Sequence, residues 1–443
     1  MPTSTLASPL APVLQQRRHR LAQLYPGPVV LWSGQAVARN FPANVYPFRA
    51  NSHFLYFAGL PLARAAIRLE AGALTLFMDD TTPEAALWHG ARPSRAAIAA
   101  DIGATAAYPY AELAAHLGDA VTLPGQGDGG VTPSQALVEA LVTLRLHHDD
   151  HALAQIQAAA AVSVAAHRAG MAATPAASTE AQVRAAMEQV ITAAGMTCAY
   201  NSIVTVHGEV LHNEQYHHPL APGDLLLADV GAEAPGGWAS DITRTWPVAG
   251  RFTAAQRDIY NVVLAAHDAC LGAAGPGVEY RDLHLLACRT LAAGLVELGL
   301  LRGHPDDLVE RDVHALFFPH GVGHLLGLDV HDMEDLGDAA GYAPGRTRSD
   351  RFGLKFLRLD RPLAAGMVVT IEPGFYQVPA LLGPARQSGQ YDDAVNWERL
   401  AAFQSVRGIR IENDVQITAT GCTVLTAALP TSVEAVEAIV SGS

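Results

Sequence analysis

The chain has 443 residues and a formal charge of −14, from 29 Lys+Arg against 43 Asp+Glu. Half of the residues are hydrophobic and 16% are charged, a globular composition whose length predicts two domains. The acidic balance excludes a general nucleic-acid binder, which needs a basic footprint, and disfavours an anionic membrane surface.

The opening MPTSTLASPLAPVLQQRRHR lacks the basic start and continuous apolar centre of a signal peptide, so a cytoplasmic protein is expected. Residues 1–150 alternate short strands and helices, which predicts a smaller α/β domain. VVLWSG reads as a strand ending in a glycine turn. AAIRLEAGALTLFMDD reads as two strands joined at Ala71-Gly72, a hairpin. AELAAHLG and PSQALVEALVTLRL have helical spacing. PGQGDGGVTP is the most linker-like segment of this half; without Gly-Lys-Ser/Thr it is a loop and not a phosphate cradle.

Residues 151–443 form the second predicted domain, opened by a long helix from His151 to Ala172. Its apolar stretch AQIQAAAAVSVAAHRAGM is broken by Gln, Ser, His and Arg, and a bilayer span needs about 20 predominantly apolar residues. STEAQVRAAMEQVITAAG is a second helix, with Ser178 or Thr179 as N-cap and Glu180 in the first turn. TAAQRDIYNVVLAAHDACL and YRDLHLLACRTLAAGLVELGL are further helices. Strands are predicted in SIVTVHG, DLLLADVGA, SDITRTWPV, MVVTIEPGFY and IRIENDVQIT. Elements segregate into runs, which favours α+β over a regular βαβ wind. EDLGDAAGYAPGRTRSDRFG and PALLGPARQSGQYDDAVNW look like inserted loops, the usual material of walls and lids. Lys355 is the single lysine, and Cys198, Cys270, Cys288 and Cys422 are scattered without C-x-x-C. They read as small buried hydrophobes in a reducing compartment, not as a disulfide frame or zinc site.

Acidic residues sit at the ends or middles of apolar strands: Asp229 after Leu225-Leu226-Leu227, Asp241 in SDITRTWPV, Glu372 in VVTIEPG and Glu412 in IRIEND. Period-two geometry puts Asp241 on one face with Thr243 and Thr245, and Glu412 with Arg410 and Asp414. A carboxylate in a buried strand is costly unless paired or metal-bound, and four in one half of the chain call for a common cation sink. PHGVGHLLGLDVHD adds His320, His324 and His331, on glycine-flanked turns that can approach a metal. Four carboxylates and one imidazole suit two divalent ions of the Mn²⁺ or Co²⁺ type better than a structural zinc. Two such ions about 3.5–4 Å apart hold and ionise a shared water, which makes this a dinuclear metallohydrolase site. Each residue alone also has a plainer reading. Asp229 could end a strand at a turn, Glu412 could pair with Arg410 across strands, and His324 could be a satisfied structural histidine. His19, His147, His148 and His151 read as solvated. The case rests on the five together.

As a set, ADVGAE…SDITRTWPV, FFPHGVGHLLGLDVHD, VVTIEPGFY and GIRIENDV resemble the pita-bread metallopeptidases, in the right order across nearly all of residues 200–418. That family includes methionine aminopeptidase, aminopeptidase P and Xaa-Pro dipeptidase. YPFRANSHFLYFAGL is a shorter likeness to the N-terminal domain of aminopeptidase P. The resemblance implies Asp229, Asp241, His324, Glu372 and Glu412 as ligands of two divalent ions, Mn first, with Co or Zn as alternatives. Asp241 and Glu412 would bridge, and Glu372 would also carry the proton of the attacking water. It further implies His212 and His331 as histidines that orient substrate or stabilise the oxyanion, and His320 and Tyr376 in the substrate pocket. Arg410 resembles an arginine that positions a carboxylate. The Gly-Gly pair before Trp238 lengthens the stretch between Asp229 and Asp241 relative to many family members, which leaves the loop's shape open.

The implied substrate is a small peptide with proline after the scissile bond. A dipeptide ends there in a free carboxylate, and Arg358 in GLKFLRLDRPL stands where dipeptidases of this family carry an arginine clamp. Arg346, Arg348, Arg351 and Arg361 compete for that role. The stretch NWERLAAF…GIRIE also resembles bacterial Xaa-Pro dipeptidases. The expected activity is thus Xaa-Pro dipeptidase, with aminopeptidase P on longer peptides as the alternative and a non-catalytic pita-bread binding module as the remote one. A homodimer is implied by resemblance.

Overall fold

The computed structural model describes residues 10–127 and 130–442. It divides into two compact units, with the break between Leu146 and His147. In the first, helix α1 (Leu10–Leu24) leads into strand β1 (Val29–Trp32), then α2 (Ser52–Ala58), β2 (Ala66–Glu70) and β3 (Ala73–Phe77). α3 (Pro83–His89), α4 (Arg95–Asp101), β4 (Ala106–Tyr108), α5 (Leu113–His116) and α6 (Gln135–Arg145) follow. The four strands form one sheet in the order β1-β2-β3-β4, antiparallel except for the parallel β3–β4 pair. The β2–β3 turn is the expected hairpin: Ala71 (φ 49°) and Gly72 (φ 84°) both take the left-handed conformation that matches strand twist. Val30, Ala66, Phe77, Leu113 and Ala120 form a core cluster behind this sheet.

The linker-like segment does not link domains. Gln126 accepts from the Trp32 N–H and donates to Asn51, and Ser134 N–H returns to Thr122 O, so the segment folds back onto its own unit. Its centre, Asp128-Gly129, lies outside the described residues.

The second unit begins with α7 (Asp150–Ala173) and α8 (Glu180–Ala193), then β5 (Thr197–Cys198), β6 (Ile203–Thr205), β7 (Leu225–Asp229), β8 (Ala232–Glu233) and β9 (Thr243–Pro247). Helices α9 (Ala254–Ala273), α10 (Tyr280–Glu297), α11 (Pro305–Glu310) and α12 (Asp338–Gly341) precede β10 (Val368–Ile371) and β11 (Gly374–Tyr376). The chain closes with α13 (Pro379–Ser388), α14 (Trp397–Ala401), β12 (Gly408–Arg410), β13 (Asn413–Ile417), β14 (Cys422–Val424) and α15 (Val433–Ser441). Antiparallel sheets β6-β7-β9 and β10-β13-β14, with the pairs β11-β12 and β5-β8, make an α+β unit.

Local chemistry explains the helix starts. The Asp149 side chain caps α7, and Thr253 and Gln256 form a capping box on α9. Thr179 occupies the N-cap of α8 but makes no side-chain cap there. Glu180 is instead buried and holds Thr205 Oγ1 and Val206 N–H, tying the helix to β6. Both expected loops are partly helical: the first carries the short α12, and in the second α13 starts with a proline at its N-terminus, where a missing N–H costs nothing, and tolerates Pro384 inside. His147 and His148 are not simply solvated; they contact the backbone oxygens of Ala365 and Leu326. Among the described residues no helix is long and apolar enough to cross a membrane.

Candidate metal centre and its cavity

The expected carboxylates hang from strand ends. Asp229 closes β7, opposite Ile203 of β6 and Thr243 of β9. Asp241 lies two residues before β9, so it is not itself in the strand as the period-two reading placed it. The extra glycines are absorbed by a tight turn, in which Gly237 N–H bonds Ala234 O and Ala234 N–H bonds Trp238 O; Asp229 and Asp241 therefore still face one another. Glu372 follows β10, and Glu412 sits in the break between β12 and β13, its N–H on Thr243 O. His324 is held by its N–H on Thr370 Oγ1. Gly323 beside it has φ 154°, and a side chain there would run into Tyr280 and Thr370.

These residues converge. His324 Nδ1 contacts Leu325 O at 2.9 Å; with the proton there, the Nε2 lone pair faces Asp241 Oδ2 at 3.5 Å and Glu372 Oε1 at 3.4 Å. Ligand atoms of Asp241, His324 and Glu412 lie within 4.8 Å of one another. Tyr200 Oη lies 2.6 Å from Asp229 Oδ1 and 2.5 Å from Asp241 Oδ1. Glu412 accepts from Thr243 Oγ1 at 2.6 Å. Asp414 accepts from the Ser240 hydroxyl and from the Asp241 N–H.

One guanidinium answers this cluster. Arg410 donates to Asp229 Oδ2 at 2.6 Å, to Thr243 Oγ1 and to Tyr376 Oη. It pairs with Asp229, not with Glu412. Five carboxylates, Asp414 included, against one arginine leave buried negative charge, and the titration directions follow. Burial pushes Glu372 up to about 7 and Asp414 up to about 8; burial and mutual repulsion push Asp229 up and Glu412 well up. Burial opposes a charge on His324, yet Asp241 and Glu372 raise it to about 9. Such a hard, oxygen-rich, anionic donor set fits divalent cations.

A cavity of about 490 Å³ opens above the cluster, within the range of small-ligand sites. Its lining includes Asp229, Asp241, His324, Glu372, Glu412, Arg410, His212, His320, His331 and Arg358. His320 bonds Tyr376 Oη through Nε2 at 2.8 Å, and burial lowers it to about 3. Tyr376 itself is fully buried behind His320 and off the cavity wall, so it supports His320 and Arg410 and is not placed to touch a ligand. The His331 ring meets His324 edge-on at 4.2 Å, and burial together with His324 lowers it to about 4.

Sequence reasoning missed Tyr200 and Glu334. Glu334 joins the two functional parts of the wall, accepting from His331 Nδ1 at 3.1 Å and from Arg358 Nη1 at 2.7 and 2.8 Å. Burial opposes its ionisation, but His331 and Arg358 hold it at about 2. Among the competing arginines, Arg346 is spent on Glu279 and Asp360, Arg351 on Asp312, and Arg361 on backbone oxygens; none of the three lines the cavity. Arg348 does line it, but both its terminal nitrogens are engaged, with Leu357 O and Asp338. Both Arg358 contacts leave from Nη1 alone.

The family model for Metallopeptidase family M24 matches residues 154–419, and that for the aminopeptidase P N-terminal domain matches residues 14–126. A Talaromyces marneffei protein named "Probable Xaa-Pro aminopeptidase pepP" is 32% identical over 422 residues, covering 90% of this chain and 89% of its own. The human protein named Xaa-Pro dipeptidase is 32% identical over 478 residues, covering 99% and 95%. The structure of Pseudomonas aeruginosa aminopeptidase PepP superposes with a TM-score of 0.83 at 29% identity, covering 99% of each chain.

Proposed function

The chain belongs to metallopeptidase family M24, with a pita-bread catalytic domain and an aminopeptidase P-type N-terminal domain, and from that premise we propose that it hydrolyses the bond before proline, preferring Xaa-Pro dipeptides. Asp229, Asp241, His324, Glu372 and Glu412 would hold two divalent ions, Mn²⁺ first and Co²⁺ or Zn²⁺ as alternatives, which when bound polarise the scissile carbonyl and acidify water.

Glu372 takes the proton of the attacking water and delivers it to the proline nitrogen as the bond breaks. That nitrogen has no hydrogen in the intact peptide, so it must gain one to leave. Burial beside the other carboxylates makes Glu372 readier to take up a proton than a solvated carboxylate. His331 or His212 donates to the developing oxyanion. His331 faces Glu334 through Nδ1 and burial keeps its ring neutral, so it donates from Nε2 only in the tautomer whose proton has moved there from Nδ1. Tyr200, Thr243 and Arg410 keep the carboxylates of Asp229, Asp241 and Glu412 in place.

The observation that carries the dipeptide preference is Arg358 on the cavity wall, anchored to Glu334 through one terminal nitrogen. Its guanidinium fork would grip the carboxylate that ends a dipeptide. The competing reading, aminopeptidase P on longer peptides, draws on the N-terminal domain and on relatives such as the Talaromyces protein. Replacing Arg358 by alanine separates them: KM for a dipeptide should rise with kcat retained, and an unchanged KM would defeat the clamp. The proposal includes a homodimer, which sedimentation would test.

A further inference from the structure

A second cluster of ligand-type side chains lies in the same unit and shares no residue with the carboxylate centre. His284 and Cys288 stand one turn apart on α10, and His314 comes from a short 3₁₀ turn at Val313–Leu316. All three are buried, at 1%, 0% and 2% exposure. One ligand atom from each lies within 4.8 Å of the other two.

The polar bookkeeping around His314 does not close. Neither of its ring nitrogens has a hydrogen-bond partner among the described residues, although the side chain is shut off from solvent. The backbone at Leu308 approaches without reaching hydrogen-bond geometry. Buried imidazoles are almost always satisfied, so two open nitrogens, one of them within reach of His284 and Cys288, need an explanation. His284 Nε2 lies 2.9 Å from Gly353 O and 3.5 Å from Cys288 Sγ, with Nδ1 4.0 Å from the same sulfur, so the ring must turn to present a lone pair to an ion shared with the thiol. An outer N–H given to a backbone oxygen is how metal-bound histidines are oriented. Gly353 also keeps space open: a side chain at that position would come 2.9 Å from His314 Nε2 and collide with Asp312.

We propose that His284, Cys288 and His314 form a second, buried metal site that takes a single Zn²⁺ ion. Two imidazoles and a thiolate are a borderline-soft donor set, unlike the oxygen-rich carboxylate centre, so the two sites sort metals by chemistry. Ligand atoms in a formed tetrahedral zinc site lie about 3.5 Å apart, so a cluster within 4.8 Å must draw in on binding, and its three donors leave the fourth position to a water. Binding replaces the S–H bond of Cys288 by an S–Zn bond and releases the thiol proton to solvent. The ion would staple α10, the His314 turn and, through His284, the backbone at Gly353. The segment after Gly353 carries Phe356 and Arg358 to the cavity wall. Phe318 packs on both the His284 ring, at 5.6 Å, and the His320 ring, at 4.8 Å, so the staple also backs a pocket histidine.

Cobalt provides the test, because only this site contains sulfur. Full-length protein is produced in zinc-depleted medium with Co²⁺ and kept reduced, and its absorption spectrum and metal content are recorded. The expected result is sulfur-to-cobalt charge-transfer absorption in the near ultraviolet. Cys288→Ala should lose that band and one cobalt per chain, while Cys270→Ala, whose thiol contacts Leu283 O, should keep both. His314→Leu removes a ligand from a different element and should also lose the band, which covers the case in which Cys288→Ala does not fold. Wild-type protein without the band, or a band that survives in folded Cys288→Ala, overturns the proposal.

Discussion

Asp241, His324 and Glu412 are at most 5% exposed and hang from or beside strands, whereas the side chains of His331, Arg348 and Arg358 are 31–39% exposed and project from the irregular segment 331–358. The floor is held by backbone ladders and by hydrogen bonds from Tyr200, Thr243 and Ser240. On the wall, His331 and Arg358 are held by one partly exposed carboxylate, Glu334, and Arg348 by Asp338 and Leu357 O. Groups fixed by a sheet suit chemistry, which needs positions kept to fractions of an ångström. Groups on a loop suit selection among substrates, since a loop can change without disturbing the sheet. The floor should therefore govern kcat, and the wall KM and substrate length.

The largest effect falls on the floor. Glu372→Gln should lower kcat by about 10²–10⁴-fold with the fold intact, the range for losing a general acid–base. Retained turnover, with circular dichroism unchanged, would remove Glu372 from the proton path. Arg410→Met leaves Asp229 buried without its partner. Urea unfolding of the metal-free protein should show a loss of about 3–5 kcal/mol, as for other broken buried pairs. On the wall, Arg358→Ala should raise KM for a dipeptide by about 10–100-fold, equivalent to about 1.5–3 kcal/mol for a hydrogen bond to a charged group. The tripeptide KM should move much less. Glu334→Gln keeps a neutral acceptor beside His331 and Arg358, so a change of only about 3–10-fold in dipeptide KM is expected, in line with a partly exposed ion pair.

The smallest effect is a pH slope. Glu372 (to about 7), Asp414 (to about 8) and His324 (to about 9) all have folded pKa values above their ordinary ones. The stability each contributes is lost between its ordinary pKa and its folded one, which ends at about 7 for Glu372, about 8 for Asp414 and about 9 for His324, so Asp414 and His324 carry the slope above pH 7. The lowered histidines, His284, His314, His320 and His331, oppose it only while the unfolded imidazoles still titrate, up to about pH 7.5. The Tm of metal-free protein should fall from pH 7 to pH 9, and added Mn²⁺ should abolish the fall. A flat metal-free profile would mean that the floor carboxylates do not share buried charge.

The same contrast governs what the sequence reveals. A carboxylate in an apolar strand stands out because burial without a cation is costly, and a histidine between glycines stands out because the turn is shaped for approach; all five converge around the cavity floor. Tyr200 gives no such signal, since a tyrosine in AYNSIV fits any half-buried strand end. Glu334 reads as one more loop acid until the fold brings Arg358 back across 24 residues. Period-two reasoning began β9 two residues early because Asp241 is turned by its N–H bond to Asp414, a contact 173 residues distant. Helix α13 was hidden by its prolines, whose tolerance depends on position within the helix. His314 meets Cys288 only through packing, so scattered cysteines gave no hint of that cluster.

The most direct measurement compares proline release from Ala-Pro with alanine release from Ala-Pro-Ala, using chelator-stripped protein resupplied with Mn²⁺. Cleavage confined to the dipeptide, and absent before Mn²⁺ is added, is the predicted result. Efficient cleavage of the tripeptide would contradict it, making the protein an aminopeptidase and Arg358 a wall residue with no carboxylate to hold.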